Sequence, residues 1–478
     1  MTQPAIIKSF ITLVCPSVAS LFLLSQPAIG AKPAARPNLI LILSDDQGWG
    51  DAGFRGATDV KTPNLDRLAA SGVEFRQGYV TAPQCIPSRA GLITGRYQQH
   101  AGIECNPDDN KNDVYQLPES TATLASELKA AGYRTGMVGK WHLGEPLSSQ
   151  PFNKGFEWCA YMRHGMGYQF LKSAWPKDKD GKGTNWFRDE KDQAIPIEGQ
   201  GYLTEVFTDK ALEFIRKDDE RPFFLYLAYH PPHWPLEAPD ESVAEYRDIK
   251  DVNRRVCAAM ITDMDAQIGR IIDYLKSSAL DKNTMIVFLS DNGAPQYSGP
   301  SITPVKIGEN ASLNGSLSGC KGLLLEGGIR VPFVMSWPGT LPVGVKVDWP
   351  VSALDITPTF LAAAGAAPMA EADGTDLLPY LKSGVTVAGP DRALFWRFDT
   401  QWDRQHAVRR GPWKLVRSGP KPARQLFNIR EDPSETNDLS AKNPEKAAAL
   451  AGELDAWMET LPPPNPEWFT KKKLPDTK

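Results

Sequence analysis

Apolar residues in this chain gather in short unbroken runs, and each run stops on polar side chains. Asn38-Leu39-Ile40-Leu41-Ile42-Leu43 ends at Ser44-Asp45-Asp46. Phe223-Phe224-Leu225-Tyr226-Leu227-Ala228-Tyr229 ends at His230, and Thr284-Met285-Ile286-Val287-Phe288-Leu289-Ser290 ends at Asp291-Asn292-Gly293. A run that is apolar at every position predicts a strand covered on both faces, as in a parallel sheet. Between these runs the spacing lengthens to that of helices. Pro63 to Ser71 is closed by Gly72, Thr121 to Ala131 by Gly132, and Arg254 to Leu275 carries a long helical period. Strands alternating with helices, each strand releasing polar groups at its C-terminal end, predict an α/β fold with an active-site edge. The spans 171–201 and 294–319 are rich in Gly, Ser, Asn, Lys and Asp and read as loops facing a substrate. Past about residue 385 the texture changes. Short strands at Ala393 to Phe398 and His406 to Val416 are followed by a turn at Asp432-Pro433. A terminal helix from Pro444 to Leu461, capped by Asn443, completes a smaller α+β unit with an antiparallel sheet.

With 478 residues the chain is long enough for one large domain and a smaller one. The expected division is a signal peptide over 1–30, a catalytic domain over 31–385 and a C-terminal subdomain with an antiparallel sheet over 386–478. The leader has Lys8, an apolar stretch from Phe10 to Leu24 broken by Cys15-Pro16-Ser17, and a small-residue cleavage site at Ala28-Ile29-Gly30. That stretch is short and interrupted for a membrane anchor, so a periplasmic or secreted protein with no stable membrane insertion after processing is expected. A net charge of −4 with no long basic run argues against nucleic acid as a partner. It also requires that any anionic substrate be held by local cations. Without Cys15, five of the six cysteines remain, an odd number in an exported chain. Their spacing fits neither a disulfide-dense scaffold nor a zinc site.

Asp45, Asp46, Asp291 and Asn292 form a hard oxygen-donor set, suited to calcium or magnesium and not to zinc. Taken singly, each is more often a turn former or a helix cap. Two such pairs after two buried strands raise the metal reading. Calcium tolerates irregular, bidentate ligation better than magnesium does.

The run Cys85-Ile86-Pro87-Ser88-Arg89-Ala90-Gly91-Leu92-Ile93-Thr94-Gly95-Arg96 resembles the first signature of the formylglycine-dependent sulfatases. These are the type I, arylsulfatase-like enzymes, which include bacterial secreted carbohydrate sulfatases. Gly132-Tyr133-Arg134-Thr135-Gly136-Met137-Val138-Gly139-Lys140-Trp141-His142 resembles the second signature. His230-Pro231-Pro232-His233-Trp234-Pro235, Ser290-Asp291-Asn292-Gly293, and Lys321 with Glu326-Gly327-Gly328-Ile329-Arg330-Val331-Pro332 resemble further family segments, and the likeness spans most of 37–460.

The resemblance implies an alkaline-phosphatase-like fold, with a mixed, mostly parallel central sheet flanked by helices. It implies that a formylglycine-generating or anaerobic maturation enzyme oxidises Cys85 to formylglycine, and that one Ca2+ is held by Asp45, Asp46, Cys85, Asp291 and Asn292. A hydrated aldehyde offers two hydroxyls on one carbon, one to attack sulfur and one to expel sulfate by re-forming the carbonyl. Arg89 would orient that group, and Lys140 and Lys321 would meet the sulfate oxygens. His233 would protonate the leaving oxygen, with Lys321 as a candidate to share that task, and His142 would act as base; the two histidines could exchange roles. The expected substrate is a sulfated glycan of galactose or N-acetylgalactosamine units. His100 and Trp234 are candidate substrate contacts, and Trp175, Trp186 and Trp402 could stack on sugar rings. Two rival readings are a phosphonate or phosphate monoester hydrolase of the same superfamily and a non-catalytic secreted glycan-binding protein.

Overall fold

The computed structural model describes residues 1–2, 36–106, 116–163, 169–170, 187–195, 201–295, 311–383, 388–400, 403–419 and 423–464. The expected signal peptide lies almost wholly outside these residues, as do Trp175, Trp186, Trp402 and most of the two loop spans. Among the described residues no helix is long and apolar enough to cross a membrane.

In chain order the strands are β1 Asn38–Ser44, β2 Val73–Phe75, β3 Gly78–Tyr79, β4 Arg134–Lys140 and β5 Trp158–Met162. There follow β6 Phe187–Asp189, β7 Phe223–Ala228, β8 Thr284–Ser290, β9 Phe333–Ser336, β10 Val345–Val347 and β11 Val351–Ser352. The last four are β12 Ala393–Asp399, β13 Arg404–Arg410, β14 Trp413–Ser418 and β15 Ala423–Asn428. The main sheet has the order β10-β2-β9-β8-β1-β7-β4-β5-β6. Its central strands β8, β1, β7, β4 and β5 all run parallel, while β9 and β6 are antiparallel to their neighbours. This is the mixed, mostly parallel sheet of the alkaline-phosphatase-like class.

The unbroken apolar runs have the cause that the pattern suggested. Leu39, Leu41 and Leu43 of β1 enter one core while Ile40 and Ile42 enter another on the opposite face. Helices cover both faces, among them Leu203–Ile215 and Val252–Ser277 on the second. The expected helices at 63–71, 121–131 and 254–275 are found at Pro63–Ala70, Leu124–Ala130 and Val252–Ser277. Thr123 caps the second of these by accepting from the Ser126 amide.

The smaller sheet, β12-β13-β14-β15, is antiparallel throughout. The single strand expected over 406–416 is two strands. Gly411 turns the chain at φ 56°, and the following Pro412 has no amide to give a ladder. The terminal helix is Pro444–Glu459, with Asn443 at its N-cap.

This sheet is joined to the main body through buried polar links. Lys414 Nζ lies 2.9 Å from both Glu326 Oε1 and Glu435 Oε1, all fully enclosed. Gln405 accepts from the Leu324 amide at 2.9 Å and donates to the Gly322 carbonyl at 2.9 Å. Trp396 and Phe398 of β12 enter the same apolar core as β1. Residues from Arg36 onward form one compact unit.

Candidate active site

Strand register brings the two acidic pairs together. Ser44 of β1 is paired with Ser290 of β8, so Asp45 and Asp291 leave the sheet side by side. The Asp291 amide then donates to the Ser44 carbonyl at 3.0 Å. Asp46 turns back with φ 65°, a conformation costly for a non-glycine residue. Its amide donates to Asp291 Oδ1 at 3.1 Å and its Oδ1 accepts from Asn292 Nδ2 at 2.7 Å. All four side chains are buried.

The helix Cys85–Thr94 begins at this edge. Its start is held by a reciprocal pair: the Ile86 amide donates to Asn106 Oδ1 at 3.0 Å, and the Asn106 amide donates to Gln84 Oε1 at 2.8 Å. Cys85 Sγ lies 3.6 Å from Asp45 Oδ1 and 3.3 Å from Lys321 Nζ. The thiol stands where the oxygens of a converted side chain would be. One helical turn on, Arg89 reaches the same point, with Nε 2.9 Å and Nη2 2.8 Å from Asp291 Oδ2. Its Nη1 also donates to the Lys140 carbonyl at 2.9 Å.

Lys140 ends β4 and its Nζ donates to Asp45 Oδ2. Gly139 before it has φ 100°, and a Cβ there would lie 2.0 Å from the Ala228 carbonyl oxygen, so only glycine lets β4 deliver Lys140 this way. His142 follows at φ 59°, half-buried, with its Nδ1 enclosed and lacking a hydrogen-bond partner. Lys321 closes the ring: Nζ lies 2.6 Å and 2.9 Å from the two oxygens of Asp46. Its amide donates to Ala294 O at 3.0 Å, and the next amide donates to Pro83 O at 2.8 Å. The Lys321 loop is thus fastened to the segments carrying Asp291 and Cys85. His233 points Nε2 toward Asp46 Oδ2 at 3.8 Å, while Nδ1 donates to the Trp234 carbonyl at 2.5 Å. Trp234 beside it is exposed.

The electrostatics follow from crowding charges in a dry site. Burial would raise Asp46, but Lys321 and His233 overcome it and hold the carboxyl well below its usual range. Burial and the neighbouring Asp45 carboxylate push Asp291 up. Burial would lower Lys321, and Asp46 with the other anions around it holds the ammonium well above its ordinary value. Burial pushes the Cys85 thiol up to about 12, so the unmodified side chain in this pocket is a protonated, weak nucleophile. Burial and Lys140 pull both His142 and His233 down, His233 to about 3, which leaves the imidazoles neutral.

A hard cation fits the residues present. Ligand atoms of Asp45, Asp46, Cys85 and Asp291 all lie within 4.8 Å of one another, and Asn292 Oδ1 is buried without a partner. Carboxylate and amide oxygens are calcium donors, and a cation would relieve their mutual repulsion.

One further group was not singled out from the sequence. His230 is fully buried against His233, with ring centroids 5.1 Å apart, and its Nδ1 is 2.7 Å from Gln169 Nε2. Its place at the end of an apolar run and at the head of the histidine-proline stretch is the available signal. His100 makes its contact elsewhere, with Nε2 3.8 Å from Asp373 Oδ2. The five described cysteines form no disulfide with one another.

A close glycine contact makes one prediction. A Cβ at Gly293 would sit 1.8 Å from the Gly327 carbonyl oxygen, backbone against backbone. Gly293→Ala is expected to cost about 1–3 kcal/mol or more in denaturant unfolding. Because it displaces the segment between Asp291 and Lys321, turnover should fall by more than about tenfold in the folded fraction. An unchanged midpoint and rate would refute the packing.

A fold that gathers a hard-cation pocket, two lysines and an arginine around one nucleophile position defines a hydrolase of anionic esters. Residues 37–366 match the sulfatase family model, and residues 320–461 match the model for the N-sulphoglucosamine sulphohydrolase C-terminal region. The chain belongs to the sulfatase family and is a sulfuric ester hydrolase. It is 32% identical over 416 residues to N-acetylgalactosamine-6-sulfatase of Canis lupus familiaris, covering 80% of this chain and 76% of that one. It is 29% identical to N-acetylgalactosamine-6-O-sulfatase of Bacteroides thetaiotaomicron, covering 88% and 93%. Among solved structures, Ps i-CgsB in complex with k-i-k-neocarrahexaose is similar at TM-score 0.82 and 33% identity, covering 91% of this chain and 95% of that one. The phosphonate monoester hydrolase of Agrobacterium radiobacter, at TM-score 0.63 and 21% identity, shares the fold.

Proposed function

We propose that the protein hydrolyses sulfate esters of a sulfated glycan built on galactose or N-acetylgalactosamine, with Cys85 converted to formylglycine as the nucleophile. The observation that carries this is the convergence of Cys85, Arg89, Lys140 and Lys321 on one buried acidic cluster. The N-acetylgalactosamine-6-sulfatase relatives and the carrahexaose complex support the choice of sugar.

Asp45, Asp46, Asp291 and Asn292, with residue 85, are the residues to hold one calcium ion. When bound, that ion supplies positive charge to the sulfate oxygens and favours the ionised nucleophile. Lys140 and Lys321 bind the sulfate oxygens and balance the charge that moves onto them. Arg89 fixes the orientation of the side chain at position 85. Both imidazoles are proton acceptors at rest. His142 takes the proton from the nucleophile's second hydroxyl, and the negative charge of a bound ester favours a proton on His233 Nε2 for transfer to the leaving oxygen. Trp234 offers a stacking face at the mouth, and His100 remains a candidate contact for an extended substrate.

A maturation enzyme, either formylglycine-generating or anaerobic, is a required partner for conversion. Residues 1–30 act as an export signal that places the mature protein in the periplasm or outside the cell, with 31–385 as the catalytic domain and 386–478 as the subdomain.

Material from a host with that maturation system, tested on a panel of sulfated saccharides and matched phosphate and phosphonate esters, decides the reading. Sulfate release in preference to phosphorus esters is expected; the reverse preference overturns it. Chelation is a separate check. Stripping divalent ions should abolish turnover and lower the melting temperature, and calcium should restore both. Calcium at 100 times its Kd contributes about 2.7 kcal/mol. Full activity after exhaustive chelation would remove the cation from the site.

A further inference from the structure

A groove of about 970 Å³ lies apart from the acidic cluster, and none of the cluster's residues lines it. Its walls come from the segment after β1, the β2 and β10 edge of the main sheet and the turns of the small sheet. The lining includes seven arginines and lysines against three carboxylates, in a chain whose net charge is −4. The carboxylates are already engaged. Glu74 pairs with Arg55 at 2.8 Å and Lys346 at 3.5 Å, and Asp348 pairs with Arg76 at 3.4 Å. Asp391 lies 3.5 Å from Arg410.

Behind the wall Arg392 pairs with Asp355 and Arg330 with Glu326 at 3.3 Å, so the surplus of positive charge is smaller than the lining alone suggests. Arg409 is 2% exposed, and its Nη1 has no hydrogen-bond partner. Its ion pair is a long one, 3.7 Å to Glu326 Oε2, and that oxygen already accepts from Tyr79 at 2.6 Å. Burial pulls the Arg409 guanidinium down to about 9; Glu435 pulls the other way and Arg430 adds like charge. Arg409 Nε donates to the Gly411 carbonyl at 3.3 Å and its Nη2 to Gln77 Oε1, so Nη1 is the one corner of this enclosed cation, in the wall of a groove open to solvent, left to take an oxyanion. Two tryptophans share the wall. Trp49 is held between Arg55 and Arg330, at 5.0 Å and 5.1 Å from its ring, and Trp349 stands on Phe75 and Tyr380. Guanidinium groups beside aromatic rings suit a sugar that carries sulfate.

The position matters as much as the charge. β2 is antiparallel to β9 and β9 to β8, so β2 and β8 point the same way. The end of β2 that leads to Arg76 therefore lies on the same sheet edge as Asp45 and Asp291. Three strand steps separate β2 from β1, or about 14 Å.

We propose that this groove is a second sulfated-saccharide site, which holds an anionic stretch of the same glycan while another sulfate reacts at Cys85. The proposal rests on the sulfated-glycan reading for its ligand, although binding here needs no conversion of Cys85.

The test reverses exposed charges and leaves the buried arginine alone. Lys346→Glu with Arg430→Glu alters the groove; Lys129→Glu with Lys282→Glu makes the same charge change on remote surface. Calorimetric binding of a sulfated galactan hexasaccharide and its desulfated counterpart is measured on both, each in a Cys85→Ala background. Groove reversal is expected to weaken the sulfated hexasaccharide about tenfold or more, against less than about twofold for the remote pair. In the active enzyme, kcat and KM for a small aryl sulfate should not move, while KM for the hexasaccharide rises. Equal affinities in the two variants, or no preference for the sulfated sugar, overturn the proposal. If sulfate is released normally but groove reversal has no effect on binding, the groove fails and the substrate reading stands. If the groove binds the sulfated sugar in this charge-dependent way and the enzyme releases no sulfate from any saccharide, the substrate reading fails and the groove stands.

Discussion

Replacing Cys85 with alanine should abolish sulfate release, by about 10⁴-fold or more, because removal of a nucleophile leaves only binding and electrostatic contributions. The fold should scarcely notice. Cys85 occupies the first turn of a helix, makes no disulfide, and is exchanged for a good helix former at a cost of about 1 kcal/mol. The assay is turnover of a sulfate ester beside a thermal melt. Retained turnover in folded Cys85→Ala protein would sink the nucleophile assignment. Peptide mass spectrometry supplies the companion test: an aldehyde is expected in place of the thiol, and only unmodified Cys85 from a competent host would remove the mechanism.

Lys321→Ala is the second large effect. The ammonium lies between Asp46 and Cys85 Sγ, so its loss takes away a fixed positive charge where sulfate oxygens must sit. A fall in kcat of about 10²–10³ is expected, the range for deleting one preorganised donor in a dry site. It also leaves Asp46 without its main counter-charge, so the melt must be followed together with the rate. Since the change could hamper oxidation of the neighbouring thiol, turnover has to be normalised to the aldehyde content found by mass spectrometry. Near-normal kcat per converted molecule would refute the role.

Much of this architecture was legible in the sequence because burial writes itself into composition. β1, β7 and β8 are unbroken apolar runs since both faces are covered, and their polar ends marked the active edge. What pattern alone could not supply was register. That Ser44 pairs with Ser290, and so sets Asp45 beside Asp291, is a three-dimensional fact. β4 was hidden for a different reason. Its residues Arg134-Thr135-Gly136-Met137-Val138-Gly139-Lys140 carry two glycines and charged ends, because neighbouring backbone and Phe214 come too close for larger side chains. The motif was visible through family likeness while its strand was not. His230 was visible at the head of the histidine-proline stretch, but its tie to Gln169, 61 positions away in the chain, was not. The groove behind Arg409 was equally silent, since its walls come from segments scattered between Trp49 and Pro433.

The buried Lys414–Glu326 pair and the Gln405 clasp carry a practical warning. They make the last hundred or so residues a hidden fixture of the catalytic loop, although no reacting atom resides there. Shortening the protein to a tidier fragment for expression would therefore silence it. A patient reader of its natural variants would find lesions in this region masquerading as faults of chemistry.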